Sequence, residues 1–222
     1  MKRKSVFDDG FQSYLVEGAE FEGFEGIPKL LDLQNAEVPL KLVPFDKARS
    51  EKEKHGYIHF YIHDNRYGEV LTNTRKYDDL ISQFDGIITP DPTIIIGKSH
   101  CLHAVSTYMN RAVGFYEQKR GVPVIVNVRW GDPSTYDVCF LGIPKHSIVA
   151  IGTHGSIVKD KATNDMLRKY FKMGLKEMLE RLEPADVIVY GSMPEDIFGE
   201  FMELTRFHRF QPEIEKVHRK EV

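Results

Sequence analysis

Five apolar runs in the sequence are each followed at once by polar or small residues, and these positions could carry chemistry. His63-Asp64-Asn65 follows Tyr57 to Ile62, and Thr89-Pro90-Asp91 follows Ile87-Ile88. Asn127, Arg129, Trp130 and Asp132 close the run that starts at Val122. Thr153-His154-Gly155 follows Ile151-Gly152, and Gly191-Ser192 follows Val187 to Tyr190. Asp64, Asp91 and Asp132 are the candidate catalytic carboxylates. A carboxyl holds a proton at neutral pH only where burial or a like charge raises its affinity.

Around them stand candidate ligand contacts. Asn127 and Arg129 share one side of an extended strand. Arg129 offers a planar fork of donors suited to phosphate or carboxylate. Trp130, the only tryptophan, could stack on a base or sugar. Asp132 would act as a base or fix Arg129; the structural alternative is an Arg129–Asp132 pair with Trp130 as a core anchor. Asp91, flanked by Pro90 and Pro92, also suits a turn residue that caps backbone donors. Gly152 to Ser156 could form a small phosphate cradle of N–H groups and hydroxyls, with Thr153, His154 and Gly191 as contacts. It has neither the Lys-Ser/Thr ending of a P-loop nor a dinucleotide fingerprint, so the cofactor is unknown. Ser192 lacks a nucleophile-elbow context.

Neither His59, Tyr61, His63 and Asp64 nor His100, Cys101 and His103 matches a zinc spacing, so no metal is assigned. Were one bound, His63, Asp64 and Asp91 would be its ligands.

The elements that must position these residues alternate along the chain. Strands are expected at Tyr57–His63, Gly86–Thr89, Val122–Val128, Ser147–Gly152 and Asp186–Tyr190. Helices are expected at Tyr77–Phe84, His103–Arg120, Asn164–Leu182 and Glu195–Thr205, with Asn164 as an N-cap and Gly121 closing the second. Tyr136–Phe140 suits a short helix or strand. The run from Val122 to Val128 is apolar on both faces, as a central parallel strand under helices should be. The fold class is therefore α/β, a mostly parallel sheet with β-α-β crossovers. A full eight-fold barrel takes roughly 250 residues, so an incomplete or compact TIM-barrel-like sheet is expected. In parallel α/β folds the C-terminal strand ends share one rim, where ligands bind.

Three segments are expected. Residues 1–40 form an irregular arm, whose Phe11, Tyr14, Phe21 and Phe24 tuck it onto the body. Residues 41–207 form a single α/β domain, and 208–222 a charged, fraying tail.

Composition narrows the partners. A net charge of −3 and a pI near 6.3 do not favour a nucleic-acid binder, which is usually basic overall. A local groove from Arg111, Lys119, Arg120, Lys169, Lys172, Arg206 and Arg209 remains open. Two cysteines are too few for a disulfide framework and read as reduced thiols. No secretory signal is visible, and no apolar run approaches the ~20 residues of a membrane helix. A cytoplasmic protein without membrane contact is expected.

Several stretches together form a recognisable order. They are Tyr57-Ile58-His59-Phe60-Tyr61 with Asp64, Phe84-Asp85-Gly86-Ile87-Ile88-Thr89-Pro90-Asp91, and Gly121-Val122-Pro123-Val124-Ile125 with Arg129-Trp130. Cys139-Phe140-Leu141-Gly142-Ile143, Ala150 to Gly155 and Val189-Tyr190-Gly191 complete it. The set resembles the domain-of-unknown-function family 4417 of bacteria, their phages and mobile elements, over about residues 20 to 192. Pro92-Thr93 departs from the Phe-Ser of the family pattern. The resemblance implies a shared fold and a phage or mobile-element context, with no assigned activity.

Three function classes follow. The first is an enzyme, by hydrolysis or acid–base chemistry, on a small anionic, phosphorylated or nucleotide-like ligand. The second is an accessory protein binding nucleic acid or a host protein without chemistry. The third is an assembly role through the N-terminal arm.

Overall fold

Seven strands in the chain carry apolar residues on both faces, and all seven join one parallel sheet. A computed structural model describes residues 12–32, 37–153 and 161–212. The strands are β3 (Leu42–Pro44), β4 (Tyr57–His59), β5 (Gly86–Ile88), β6 (Val124–Asn127), β7 (Ile148–Gly152), β8 (Asp186–Tyr190) and β9 (Arg206–Phe210). Their order in space is their order in sequence, and every neighbouring pair is parallel. Each right-handed crossover therefore steps the same way and lays its connection on the same face. The sheet curls into a half-barrel with its helices outside.

Two apolar clusters record this curl. The outer one joins strand residues such as Ile58, Ile87, Val126, Val149 and Val189 to helix residues. The inner one consists mainly of strand side chains: Tyr57, Tyr61, Ile88, Ile125, Ala150, Ile188 and Tyr190. Alternation along each strand divides them. The edge strands β3 and β9 face a shared cavity of about 150 Å³, lined by Leu42, His59, Tyr190 and Phe210. Gly86 is required where β4 and β5 meet. A Cβ there would stand 2.6 Å from the Pro123 carbonyl oxygen and the Tyr57 ring.

The helices are α1 (Phe45–Ala48), α2 (Gly68–Thr72), α3 (Asp78–Ile81), α4 (His100–Lys119), α5 (Tyr136–Cys139), α6 (Lys161–Leu182) and α7 (Glu195–Phe198). Several expectations shift. The strand expected at Tyr57–His63 ends at His59, and the helix expected at Tyr77–Phe84 is the single turn Asp78–Ile81. Helix α6 starts at Lys161, so Asn164 lies inside it and does not cap it. The expected helix at 195–205 is a single turn followed by a 3-10 turn at Gly199–Phe201.

Residues 208–210, expected to fray, belong to the seventh strand. Phe207 packs on the outer cluster and Phe210 on the inner one. Phe207 and Phe210 stand three apart among charged residues, so each faces one side of the strand without an alternating pattern to mark it. The N-terminal segment is not wholly irregular. It contains a 3-10 turn (Ser13–Val16) and a hairpin of β1 (Phe21–Glu22) and β2 (Ile27–Pro28). Leu15 and Ile27 anchor it, whereas Phe21 and Phe24 stay exposed; Phe11 lies outside the described residues. No described helix is long and apolar enough to cross a membrane.

One buried carboxyl on α4 belongs to this packing. Glu117 Oε2 accepts from Arg120 Nη1, and Oε1 has no partner among the described residues. Burial pushes the carboxyl from 4.5 up to about 7, against the opposing pull of Arg120. The native state thus holds this proton more tightly than the unfolded chain. Its stabilisation is present in acid and is lost as pH rises from 4.5 through about 7. Urea midpoints measured across that range should fall with pH in the wild type, and the fall should be smaller in Glu117→Gln. Gly86→Ala should lower stability by about 1–3 kcal/mol through overpacking, read in the same titrations.

Candidate functional site

The site begins where β5 and β6 part. Their pairing ends at Ile88↔Ile125, followed by one further bond from Thr89 N to Ile125 O at 2.9 Å. Beyond it, side chains replace the ladder. Asn127 N donates to Thr89 Oγ1 at 2.8 Å, and Thr89 Oγ1 donates to Asn110 Oδ1 at 3.0 Å. Asn110 Nδ2 donates to Pro90 O at 2.6 Å and to Asn127 O at 3.1 Å. Arg111, 2% exposed, donates to the carbonyls of Cys139 and Leu141 at 2.8 and 3.0 Å. Burial pushes its guanidinium down to about 10, so it stays charged at neutral pH. Buried polar groups require such partners, and here they hold two strand ends apart.

Asp91 occupies the gap. Its Oδ1 accepts from Asn127 Nδ2 and its Oδ2 from Arg129 Nη1, both at 2.7 Å. The residue is 9% exposed. Burial pushes its carboxyl up, opposed by Arg129 and Asn127. The Asp91 charge in turn holds the Arg129 guanidinium above its usual range. Arg129 keeps 34% of its side chain exposed.

Asp64 starts the turn after the β4 segment and is exposed. It accepts from Tyr67 Oη at 3.0 Å and from Thr93 N at 3.1 Å. Asp64, Asp91 and Arg129 all line a cleft of about 710 Å³, together with Tyr61 and Arg66. A smaller lobe of about 110 Å³ is walled by Ile94, Ile96, Trp130, Tyr170 and Phe171. Asp91, Arg129 and Gly152 border both spaces.

The other candidates are distributed around this centre. Asn127 is buried and holds Asp91. Trp130 packs between Phe140 and Phe171 and walls the smaller lobe. Asp132 does not pair with Arg129, whose carboxylate partner is Asp91. Its Oδ1 accepts from Ser134 N at 2.9 Å and from Ser134 Oγ at 2.6 Å, and these bonds hold its pKa down. Thr153 is buried and bonds Tyr190 O, and Gly191 bonds Phe210 O. Neither lines the two spaces. His154 lies outside the described residues. Groups of three or more His, Cys, Asp or Glu able to hold a metal are absent among the described residues.

The suggested basic groove loses Arg111, which is buried in the core. Arg120, Lys172 and Arg206 are each paired with a carboxylate. Sequence reasoning passed over Asn110, placed Arg111 in a surface groove and weighed Tyr61 only beside a metal set. Asn110-Arg111 inside an amphipathic helix was the available signal, because two polar residues on a buried face need acceptors.

A family model described as a domain of unknown function (DUF4417) matches residues 19–208. The Gene 1 protein of Mycobacterium phage L5 is 30% identical over 138 residues, covering 62% of this chain and 58% of that protein. The Gene 1 protein of Mycobacterium phage D29 is 27% identical over 163 residues, covering 70% and 58%. The chain thus spans less than two thirds of either relative. No solved structure matches it.

Gly174 on α6 permits the Trp130 position. A Cβ there would stand 2.2 Å from the indole. Gly174→Ala should therefore displace the ring, shift the emission of the only tryptophan and destabilise by about 1–3 kcal/mol. An unchanged spectrum and melting temperature would contradict the packing described.

Proposed function

The chain belongs to the family described as a domain of unknown function (DUF4417), and from its site we propose an enzyme acting on a small anionic, phosphorylated or nucleotide-like ligand. Its phage association is carried by the two mycobacteriophage relatives.

The supporting observation is the pair of buried Asp91 and half-buried Arg129 at the junction of two open spaces. Asp91 uses one guanidinium nitrogen and sets the direction of the fork. The remaining N–H groups suit a phosphate or carboxylate. Asp64 faces the same cleft from the turn after β4, so an exposed and a buried carboxylate flank one anion site. Such a division suits acid–base work: one carboxyl takes a proton from water, and the other gives one to the leaving oxygen. Hydrolysis of a phosphate ester is the reaction that fits. Trp130 walls the ligand's apolar part.

A non-catalytic accessory protein that binds nucleic acid or a host protein is the competing reading. Paired surface cations do not favour its nucleic-acid form.

A panel of phosphomonoesters and nucleotides incubated with the full chain tests this. Wild type should release phosphate, and Asp91→Asn and Asp64→Asn should each lose at least about 100-fold in kcat, in line with acid–base contributions of 10²–10⁴. Both variants should keep the wild-type circular dichroism spectrum. Turnover unaltered in both would remove these roles, and absence of any turnover would favour the accessory reading.

A further inference from the structure

The Tyr61 hydroxyl is left without a task by the fold. Tyr61 follows β4, and its ring stacks on Tyr190 at a centroid distance of 5.0 Å. The residue is 9% exposed, and its hydroxyl is buried with no hydrogen-bond partner among the described residues. Burial pushes its pKa well above the usual tyrosine range, so the group is a neutral donor at neutral pH. Phenylalanine would fill the same space without the penalty of an unpaired buried hydroxyl.

Strand register sets Tyr61 beside Arg129. β6 and β7 pair at Asn127↔Ala150, and Val128 N still donates to Ala150 O at 2.8 Å. Two residues further along each run stand Arg129 and Gly152, adjacent positions on neighbouring strands. The Tyr61 ring lies over Gly152, where a Cβ would stand 2.8 Å from it. Tyr61, Gly152 and Arg129 all line the cleft of about 710 Å³. The hydroxyl also feels both charges of the central pair: Asp91 raises its pKa and Arg129 lowers it.

Arg129 has donors left over. It bonds Asp91 through Nη1, and its Nε and Nη2 meet no acceptor among the described residues. One third of the side chain is exposed. A guanidinium edge takes two oxygens of an anion in parallel bonds. That completes a carboxylate or a phosphodiester, each of which presents two free oxygens. A terminal phosphate presents three in a tetrahedron, so the third stands out of the plane of the fork. A donor from another element has to meet it.

We propose that Tyr61 and Arg129 form the seat of a phosphate monoester, the Arg129 edge holding two oxygens and the Tyr61 hydroxyl donating to the third. The seat selects a terminal phosphate over a diester or a carboxylate. A neutral hydroxyl adds one directed bond and no charge, so it favours the third oxygen and not anions in general. This rests on the anion-site reading above and makes Tyr61 a specificity-determining residue, with Gly152 leaving room for its ring. The hydroxyl serves binding at some loss of stability.

Titration calorimetry of the full chain with methyl phosphate, dimethyl phosphate and acetate tests this, in the wild type and in Tyr61→Phe, with thermal melts of both. Wild type should bind methyl phosphate at least tenfold more tightly than either other probe. Tyr61→Phe should weaken methyl phosphate at least tenfold, as loss of a bond to a charged group does. It should leave the other two probes unaltered and melt at or above the wild-type temperature. No binding of methyl phosphate by the wild type, no preference for it, an equal loss for every probe in Tyr61→Phe, or melting clearly below wild type would each overturn the proposal. Ester turnover that Asp91→Asn abolishes and Tyr61→Phe leaves with the same KM would sink the seat and keep the enzymatic reading. Tyr61-dependent binding of methyl phosphate without turnover of any ester would keep the seat and remove the enzyme.

Discussion

The separation of β5 from β6 is the constraint on which the site depends. Parallel strands normally stay paired until both end, because each unpaired backbone group in a dry interior costs free energy. Here Thr89 and Asn110 take over those groups directly past Ile88↔Ile125. The strands part without leaving their polar atoms empty. Arg111 extends the same device to the carbonyls of Cys139 and Leu141, so the segment containing α5 is tied to the same helix. One turn of α4 thereby decides where the mouth of the half-barrel opens.

Asp91 is the consequence of that opening. It enters the gap and is met by Asn127 and Arg129 from the neighbouring strand. A carboxylate in so little water needs such partners. Each partner is tied elsewhere: Asn127 by its backbone to Thr89 and Asn110, Arg129 by its place two residues along the same extended run. The pair sits just past two strand ends, which Thr89 and Asn110 of α4 tie together.

Not every polar atom nearby is satisfied. Tyr61 Oη, Asn127 Oδ1 and Trp130 Nε1 are buried without partners among the described residues, while Arg111 is well supplied with acceptors. The contrast separates two uses of buried polarity in one region. The Arg111 network holds backbone apart. The other atoms leave hydrogen-bonding capacity unspent, two of them on residues that line the open spaces, Tyr61 and Trp130.

Much of this was legible before the fold was known. The apolar runs at 122–128 and 186–190, with helical spacing between, determined a parallel α/β sheet, because only buried strands are apolar on both faces. The polar residues at their ends marked the rim and singled out Asp64, Asp91, Asn127 and Arg129. Short-range pattern could not reveal that Arg129 would choose Asp91, 38 positions away, over Asp132, three residues on. Asp132 satisfied the backbone of its own turn first. Nor could it show that β9 would complete the sheet or that Tyr61 would reach the same cleft. Periodicity reports which face a residue presents to a core. Which distant residue shares that face is set by strand order and register, and these exist only once the chain has folded.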